Sequence, residues 1–362
     1  MKTKTLLQFG ILVAVLIGIQ LAASAAGRDY YLTQMVMAAY YSVVAMGLCL
    51  VMGYAGQVSL GHGAFFALGG YVSALLTTSN LRPAAGQAWT DGLSRIGVLA
   101  ARENAYGETI LTATPWAAFV LAILAATFAA FLIGYPALRL KGHYLAMATL
   151  GFGLIIYRLV LGSAFTGGAD GVTGVPPWTL APGLIISGRK AHRVENYYVA
   201  WGFAVLALLL LSNIVRSRVG RALRSIHDGE RAANAMGINT AACKLQAFVL
   251  SAMLAAAAGC FMTHYNGGIG PSEAGAMKSV RYVALVAAGG MANLWGVMIV
   301  SAVLNYLSLR GYFGTLDDAV FGIILILIIW LAPEGPLKPA ADRIGALCRL
   351  MFKGKGTAHG AA

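Results

Sequence analysis

Residues 216–244 read RSRVGRALRSIHDGERAANAMGINTAACK and place six Lys and Arg side chains between two long series of apolar runs. Lys and Arg resist transfer across a membrane, so a short basic segment between apolar runs is retained in the cytoplasm. This stretch therefore fixes the orientation of the apolar runs on both sides of it.

The composition of the chain defines its class. Hydrophobic residues make up 59% of the 362 residues, charged residues make up 11%, and the mean hydropathy is +0.74. A water-soluble domain of this length does not have such a composition. The net charge of +13 comes from Lys and Arg placed between apolar runs. The charge therefore indicates membrane orientation and gives no reason to expect a nucleic-acid partner.

The apolar runs predict an all-α polytopic membrane protein with about ten transmembrane or half-transmembrane helices, because most are long enough to cross a hydrocarbon layer about 30 Å thick. The eighth run is too short to cross alone. The runs are residues 6–26, 30–52, 57–79, 116–135, 143–162, 198–215, 244–263, 281–290, 294–310 and 317–332.

Charge counts favour a cytoplasmic location for both termini. With that orientation the inner regions hold fifteen Lys and Arg residues and four Asp and Glu residues. Residues 1–26 also resemble a signal peptide, and this alternative leaves the remaining topology unchanged.

The predicted organisation is a single transmembrane domain over residues 1–338 and a basic cytoplasmic tail over 339–362. Within the domain, 216–244 forms the main cytoplasmic loop, and 80–115 and 163–197 form two outer loops.

Absent motifs narrow the function. The predicted spans contain no Asp or Glu away from their ends, which disfavours a proton-coupled carrier. The sequence has no GxxxxGK[ST] phosphate loop, so ATP, if it powers the protein, is bound by another polypeptide. The sequence places no nucleophile and base at one depth, so no pattern in it indicates an enzyme. It also has no metal-ligand cluster that would indicate a metal site.

Glycines interrupt two hydrophobic stretches, GYAGQVSLGHGAFFALGGYVSALL from residue 53 and AAGGMANLWGVMIV from residue 287. Close helix packing explains such glycines. Irregular backbone beside a translocation path explains them equally well, because non-helical backbone at membrane depth must be buried in protein or line an aqueous cavity. The polar residues among the glycines are the candidate path residues: Gln57, Ser59, His62 and Asn293.

The cytoplasmic loop is predicted to contain two short helices, about 219–227 and 230–236. Gly229 separates them and Gly237 ends the second. Two interpretations are open, a helix pair that docks on a soluble partner and a basic loop on anionic headgroups. A lipid-binding helix normally buries large apolar side chains, and this loop offers few. Docking on a partner is therefore favoured.

Six segments, in order, resemble the LivM-type permeases of branched-chain amino acid ABC importers, over residues 40 to 338. The segments are GYAGQVSLGHGAFFALGGY at 53–71, PALRLKGHYLAMATLGFG at 136–153, TGGADGVTGVP at 166–176, GRALRSIHDGERAANAMGIN at 220–239, KLQAFVLSAMLAAAAG at 244–259 and PEGPL at 333–337.

This resemblance implies a permease subunit of an ATP-driven importer in a bacterial inner membrane. The implied partners are a second, LivH-type permease, two cytoplasmic ATPases that carry ATP and Mg, and a periplasmic substrate-binding protein. The chain itself is expected to bind no cofactor and to be no enzyme.

The resemblance also implies a coupling helix within 220–239 that docks on an ATPase. Importers of this class carry EAAxxxG here, whereas this chain reads RAANAMG from Arg231 to Gly237, with Glu230 one position early. No salt bridge to the ATPase is therefore inferred from Glu230. The coupling residues expected are Gly220, Arg221, Arg224, Glu230, Ala232, Ala233 and Gly237.

The substrate stays open at this point. Relatives of this type carry branched-chain amino acids, other amino acids, urea, short amides or organic acids, and the passage of a small polar solute through a passive channel is the remaining alternative.

The topology is testable by cysteine labelling in a background without native cysteines. We expect cysteines at Asp170 and Lys190 to react with an impermeant reagent in intact cells, because both lie in a predicted outer loop. A cysteine at Ser225 should react only after permeabilisation. Labelling of position 225 in intact cells would contradict the orientation.

Overall fold

The structure, a computed structural model, describes residues 3–82, 97–103, 109–138 and 144–311, with a few isolated positions at 92, 94 and between 319 and 330. The helix Tyr30–Cys49 continues without a break into a π-helical turn, Leu50–Tyr54. The described helices are α1 (Thr3–Ala25), α2 (Tyr30–Cys49), α3 (His62–Thr78), α4 (Pro115–Ala137), α5 (Tyr144–Gly162), α6 (Arg193–Arg216), α7 (Arg218–Asp228), α8 (Glu230–Ala235), α9 (Thr240–Asn266), α10 (Ala276–Gly289) and α11 (Leu294–Leu309).

Short antiparallel ribbons lie in the connections, and the sequence analysis did not predict them. In the loop 80–115, β1 (Leu99–Glu103) pairs with β2 (Thr109–Ala113). In the loop 163–197, β4 (Trp178–Ala181) pairs with β5 (Leu184–Ile186). The two-residue strand β3 (Val172–Thr173) pairs with β6 (Gly268–Ile269) beyond α9.

The prediction of a helical polytopic membrane protein is confirmed. Within the described residues, six helices are long and apolar enough to cross a membrane: Leu7–Ala25, Tyr30–Tyr54, Pro115–Ala137, Tyr144–Gly162, Lys190–Arg216 and Thr240–Asn266.

The remaining apolar runs form shorter helices or lie outside the described residues. The run 57–79 becomes helical only from His62. The run 281–290 belongs to α10, which has 14 residues, and 294–310 corresponds to α11. The run 317–332 lies mostly outside the described residues, and the tail 339–362 lies wholly outside them.

Helix α2 occupies the centre of the fold. In the most apolar 18-residue stretch of the span Tyr30–Tyr54, 89% of the residues are buried. In the corresponding stretch of α1 only 17% are buried. Helix α2 packs against α6, α9 and α11. A helix that is hydrophobic all round is suited to this position.

Helices α3 and α9 approach closely because glycines face the opposite backbone. A Cβ added at Gly69 would overlap the backbone of Ala256, and one added at Gly259 would overlap the carbonyl of Phe66. Lipid provides no hydrophobic drive between helices, so such close approach is a main source of association. For these two glycines the packing interpretation is the right one.

Small residues also line the buried face of α4. Ala118, Ala122, Ala126, Ala130 and Gly134 recur at intervals of four residues and are all buried. Residues four apart lie on one face of a helix. This stripe packs against α3 and α9 and leaves the larger apolar side chains of α4 on the outer surface.

The chain reverses sharply between α10 and α11. Gly290 has a φ of +91°, which a residue with a side chain rarely adopts. The Asn293 side chain caps α11 by accepting a hydrogen bond from the Gly296 backbone N–H at 3.1 Å. Gly289 and Gly296 lie against each other without room for a Cβ. The glycines of this segment therefore produce a break with both helix ends held close together.

The helix packing is testable with Gly259→Ala. We expect a destabilisation of about 1–3 kcal/mol, because the added methyl would overlap the Phe66 backbone. Gly202→Ala is the matched control, since a Cβ at Gly202 meets open space. Thermal unfolding in detergent measures both variants. Equal melting temperatures for both would contradict the packing.

Candidate functional site

The 216–244 loop forms the two helices that the sequence predicted. Helix α7 begins after Ser217, whose side chain accepts a hydrogen bond from the Val219 backbone N–H at 3.2 Å. Gly229 separates α7 from α8. Gly237 follows α8 with a φ of +83°. The backbone N–H of Gly237 donates to Asn234 and that of Ile238 donates to Ala233, which is the Schellman pattern of a helix end.

The expected coupling residues divide into an exposed and a buried group. A Cβ at Gly220 would overlap the backbone of Val215, so this glycine permits the tight turn between α6 and α7. Ala233 is buried and packs inside the loop, whereas the small side chains on the exposed face of α8 belong to Ala232 and Ala235. Arg221, Arg224, Ala232 and Gly237 are exposed, Glu230 is half-buried, and Gly220 and Ala233 are buried.

Glu230 is engaged within the chain. Its carboxylate oxygen Oε1 lies 2.6 Å from Nζ of Lys244, at the start of α9. Thr240 Oγ1 donates to the same oxygen at 3.4 Å. This pair fixes α8 against α9 and engages the Glu230 carboxylate within the chain.

Helix α7 rests on the π-helical end of α2. The guanidinium carbon of Arg224 lies 5.5 Å from the ring centroid of Tyr54, a cation–π contact. A Cβ added at Gly56 would lie 2.9 Å from Nδ1 of His227. The loop therefore contacts the π-helical end of α2 directly.

The same end of α2 contacts the α10–α11 break. The Tyr54 hydroxyl donates to the Ala292 carbonyl at 2.5 Å. The Cys49 thiol donates to the Met291 carbonyl at 3.2 Å. Gly53 lies against the Met291 carbonyl with no room for a Cβ. The two glycine-interrupted segments, which the sequence analysis paired, thus meet at this point.

Ser59 and His62 belong to one buried polar cluster. The His62 ring nitrogen Nδ1 is 3.2 Å from the Ser59 hydroxyl, and Nε2 is 2.6 Å from the hydroxyl of Ser251 on α9. All three side chains are fully buried, and Phe65 and Phe248 pack edge-on against the imidazole. The hydrogen bonds of His62 join α3 to α9.

The other two candidate path residues, Gln57 and Asn293, form no side-chain hydrogen bond to this cluster within the described residues. Gln57 is buried, and its Oε1 atom has no hydrogen-bond partner within the described part of the chain. Asn293 caps α11 and also lines an apolar groove of about 770 Å³ between α1, α2, α6 and α11.

One polar cluster was missed by the sequence analysis. Nζ of Lys278 lies 3.0 Å from Oε1 of Glu273, and the Tyr41 hydroxyl donates to the same oxygen at 3.2 Å. The sequence analysis placed both charged residues between predicted spans. One feature of the sequence could have revealed this cluster: two opposite charges lie just before a run that is too short to cross the membrane.

No group of three or more His, Cys, Asp or Glu side chains in the described ranges is arranged to hold a metal ion.

Comparison with known proteins identifies relatives of the chain. A family model described as branched-chain amino acid transport system / permease component matches residues 30–329. The high-affinity branched-chain amino acid transport system permease protein LivM of Salmonella typhimurium is 31% identical over 323 residues, covering 83% of this chain and 68% of that protein. LivM of Escherichia coli is 30% identical over 319 residues, with 82% and 67% covered.

The second permease type is also similar. The corresponding permease protein LivH of Salmonella typhimurium is 25% identical over 329 residues, covering 87% of this chain and 98% of that protein. No solved structure gives a significant match. Because the family model matches most of the chain and the fold is that of a multi-pass membrane protein, the chain belongs to the family of permease components of branched-chain amino acid transport systems.

Proposed function

We propose that the chain is the permease subunit of an ATP-driven importer in a bacterial inner membrane. With a second, LivH-type permease it forms the path for branched-chain or related amino acids, which a periplasmic binding protein delivers. Two cytoplasmic ATPases bind ATP and Mg and perform the hydrolysis, so this chain is not itself an enzyme. Family membership supports the permease role.

The exposed face of the 216–244 loop supports docking on an ATPase. Arg221, Arg224, Ala232 and Ala235 are exposed on two consecutive short helices. A surface of small side chains with a basic rim fits a cleft on a soluble protein. Met236 is 83% exposed and provides the one large apolar side chain at the end of α8. The loop thus offers a shaped surface to a partner.

The observation that carries the proposal is the continuous contact from this loop to the α10–α11 break. Arg224 lies over the ring of Tyr54, and the Tyr54 hydroxyl holds the Ala292 carbonyl. A displacement of α7 by a docked ATPase would therefore act directly on the point where α10 and α11 meet. Coupling through packed elements of this kind needs such a physical contact.

Gln57, Ser59, His62 and Asn293 are the four candidates for the path, and the structure supports them unequally. The buried Oε1 of Gln57, without a partner among the described residues, supports a nearby polar path, because buried polar atoms are normally hydrogen-bonded. The complete pairing of His62 with Ser59 and Ser251 supports a packing role for that side chain instead.

Other substrates define the competing hypotheses. Urea, short amides or organic acids would use the same importer architecture, whereas a passive channel would need no ATPase. The printed names of the relatives refer to branched-chain amino acid transport, which favours amino acids.

Reconstitution tests the importer role. The chain is co-expressed with the proposed second permease, ATPases and binding protein, and the complex is placed in proteoliposomes. We expect uptake of radiolabelled leucine that requires ATP and the loaded binding protein. Leucine uptake at the same rate without ATP would establish a channel and contradict the proposal.

Docking is tested with Ala235→Trp. The large ring on the exposed face of α8 should prevent co-purification of the ATPases and abolish uptake, while the permease pair stays assembled. The matched control is Ala100→Trp, an exposed alanine of the outer ribbon. Ala233→Trp should instead reduce the amount of folded permease, because Ala233 is buried. ATPase co-purification with Ala235→Trp at the wild-type level would exclude α8 from the docking surface.

A further inference from the structure

An ion pair lies beside the middle of α2. Tyr41, which hydrogen-bonds to Glu273, lies about midway along the span Tyr30–Tyr54. The chain reaches this depth because the segment after α9 folds back through a 3₁₀ turn, Pro271–Ala274, before α10 begins. Lys278, in the first turns of α10, completes the pair. The two charges are therefore within the membrane layer.

The pair is partly open. The Glu273 and Lys278 side chains keep 19% and 27% of their surface exposed in the single chain. Nζ of Lys278 also contacts the Tyr41 hydroxyl at 3.1 Å and lies 4.5 Å from the Tyr41 ring centroid. Charged groups at this depth face a water-filled cavity or other protein, because exposure to lipid is costly. The open side of the pair thus belongs to an aqueous path or a subunit contact.

Unused hydrogen-bonding groups surround the pair. The second carboxylate oxygen of Glu273 and the Tyr282 hydroxyl are buried without a partner in the described ranges. Native proteins rarely leave such atoms unsatisfied. A cavity of about 20 Å³, with room for one water molecule, lies beside Tyr282 and Lys278. Its lining residues are Tyr41, Lys278, Arg281, Tyr282, Asn305, Ser308 and Leu309.

The charge arrangement is complementary to a zwitterion. We infer that this cluster recognises the charged head group of an α-amino acid during its passage. On the partly exposed side of the pair, Glu273 accepts hydrogen bonds from the substrate ammonium, while Lys278 donates to the substrate carboxylate. Charge-assisted hydrogen bonds of this kind are the strong ones in a low-dielectric site.

The inference rests on the proposed import function and narrows its substrate. Urea and short amides carry no charges to match the pair, and a dicarboxylate would meet repulsion from Glu273. A structural brace is the competing explanation of the same pair. The two explanations differ when both charges are removed, since replacement of a whole buried pair is often tolerated whereas removal of one partner is not.

Three variants in the complete reconstituted importer test the site: Lys278→Gln, Lys278→Arg and the double variant Glu273→Gln with Lys278→Gln. Leucine uptake, ATP hydrolysis and the amount of assembled complex are measured together. We expect the leucine transported per ATP to fall about tenfold or more in Lys278→Gln and to stay low in the double variant, because hydrogen bonds to a charged substrate are lost. Lys278→Arg should retain most transport.

Lys190→Gln, which changes an exposed outer lysine, is the matched control and should transport leucine normally. Wild-type coupling in the assembled double variant would overturn the site while the importer role stands. ATP-driven import of urea without leucine import by the wild-type complex would also overturn it. Absence of any ATP-driven uptake by the wild-type complex would contradict the proposed function and this site with it.

Discussion

The contact between the π-helical end of α2 and the α10–α11 break is the interaction on which the rest of the structure depends. A break in a membrane helix leaves backbone carbonyls that must find partners inside the protein. Cys49 and Tyr54 supply those partners to Met291 and Ala292, and Gly53 lets the two backbones touch. Helix α2 therefore satisfies the carbonyls that the break exposes, and it does so while packed against α6, α9 and α11.

This contact also relates the two proposed functional regions. Arg224 of the 216–244 loop lies on the Tyr54 ring, and Tyr54 holds the break at the end of α10. Lys278 lies near the opposite end of α10, where it pairs with Glu273. In the proposed importer, one short helix thus connects the surface that meets the ATPase with the charges that meet the substrate.

Local signals in the sequence were sufficient for much of the fold. The apolar runs identified most of the described membrane helices, and Gly229 and Gly237 gave the limits of the two loop helices closely. These features depend on residues near one another in the chain. The sequence did not reveal the short β-ribbons, whose strands pair in connections of weak pattern. Nor did it show that Ala233 faces inward while Ala232 faces outward, because an alanine-rich helix has no pattern that distinguishes its two faces.

By itself the sequence determined the class of the protein, its helical membrane fold and its family, because composition, run length and ordered motifs are properties of the linear chain. The tertiary structure alone decided which glycines serve packing, as at Gly259, and which permit a helix break, as at Gly290. It also decided that Glu273 and Lys278 lie beside the middle of a span and not in an outer connection. The physical reason is that the depth of a re-entrant segment is set by contacts with distant helices, and hydropathy along the chain carries no record of those contacts.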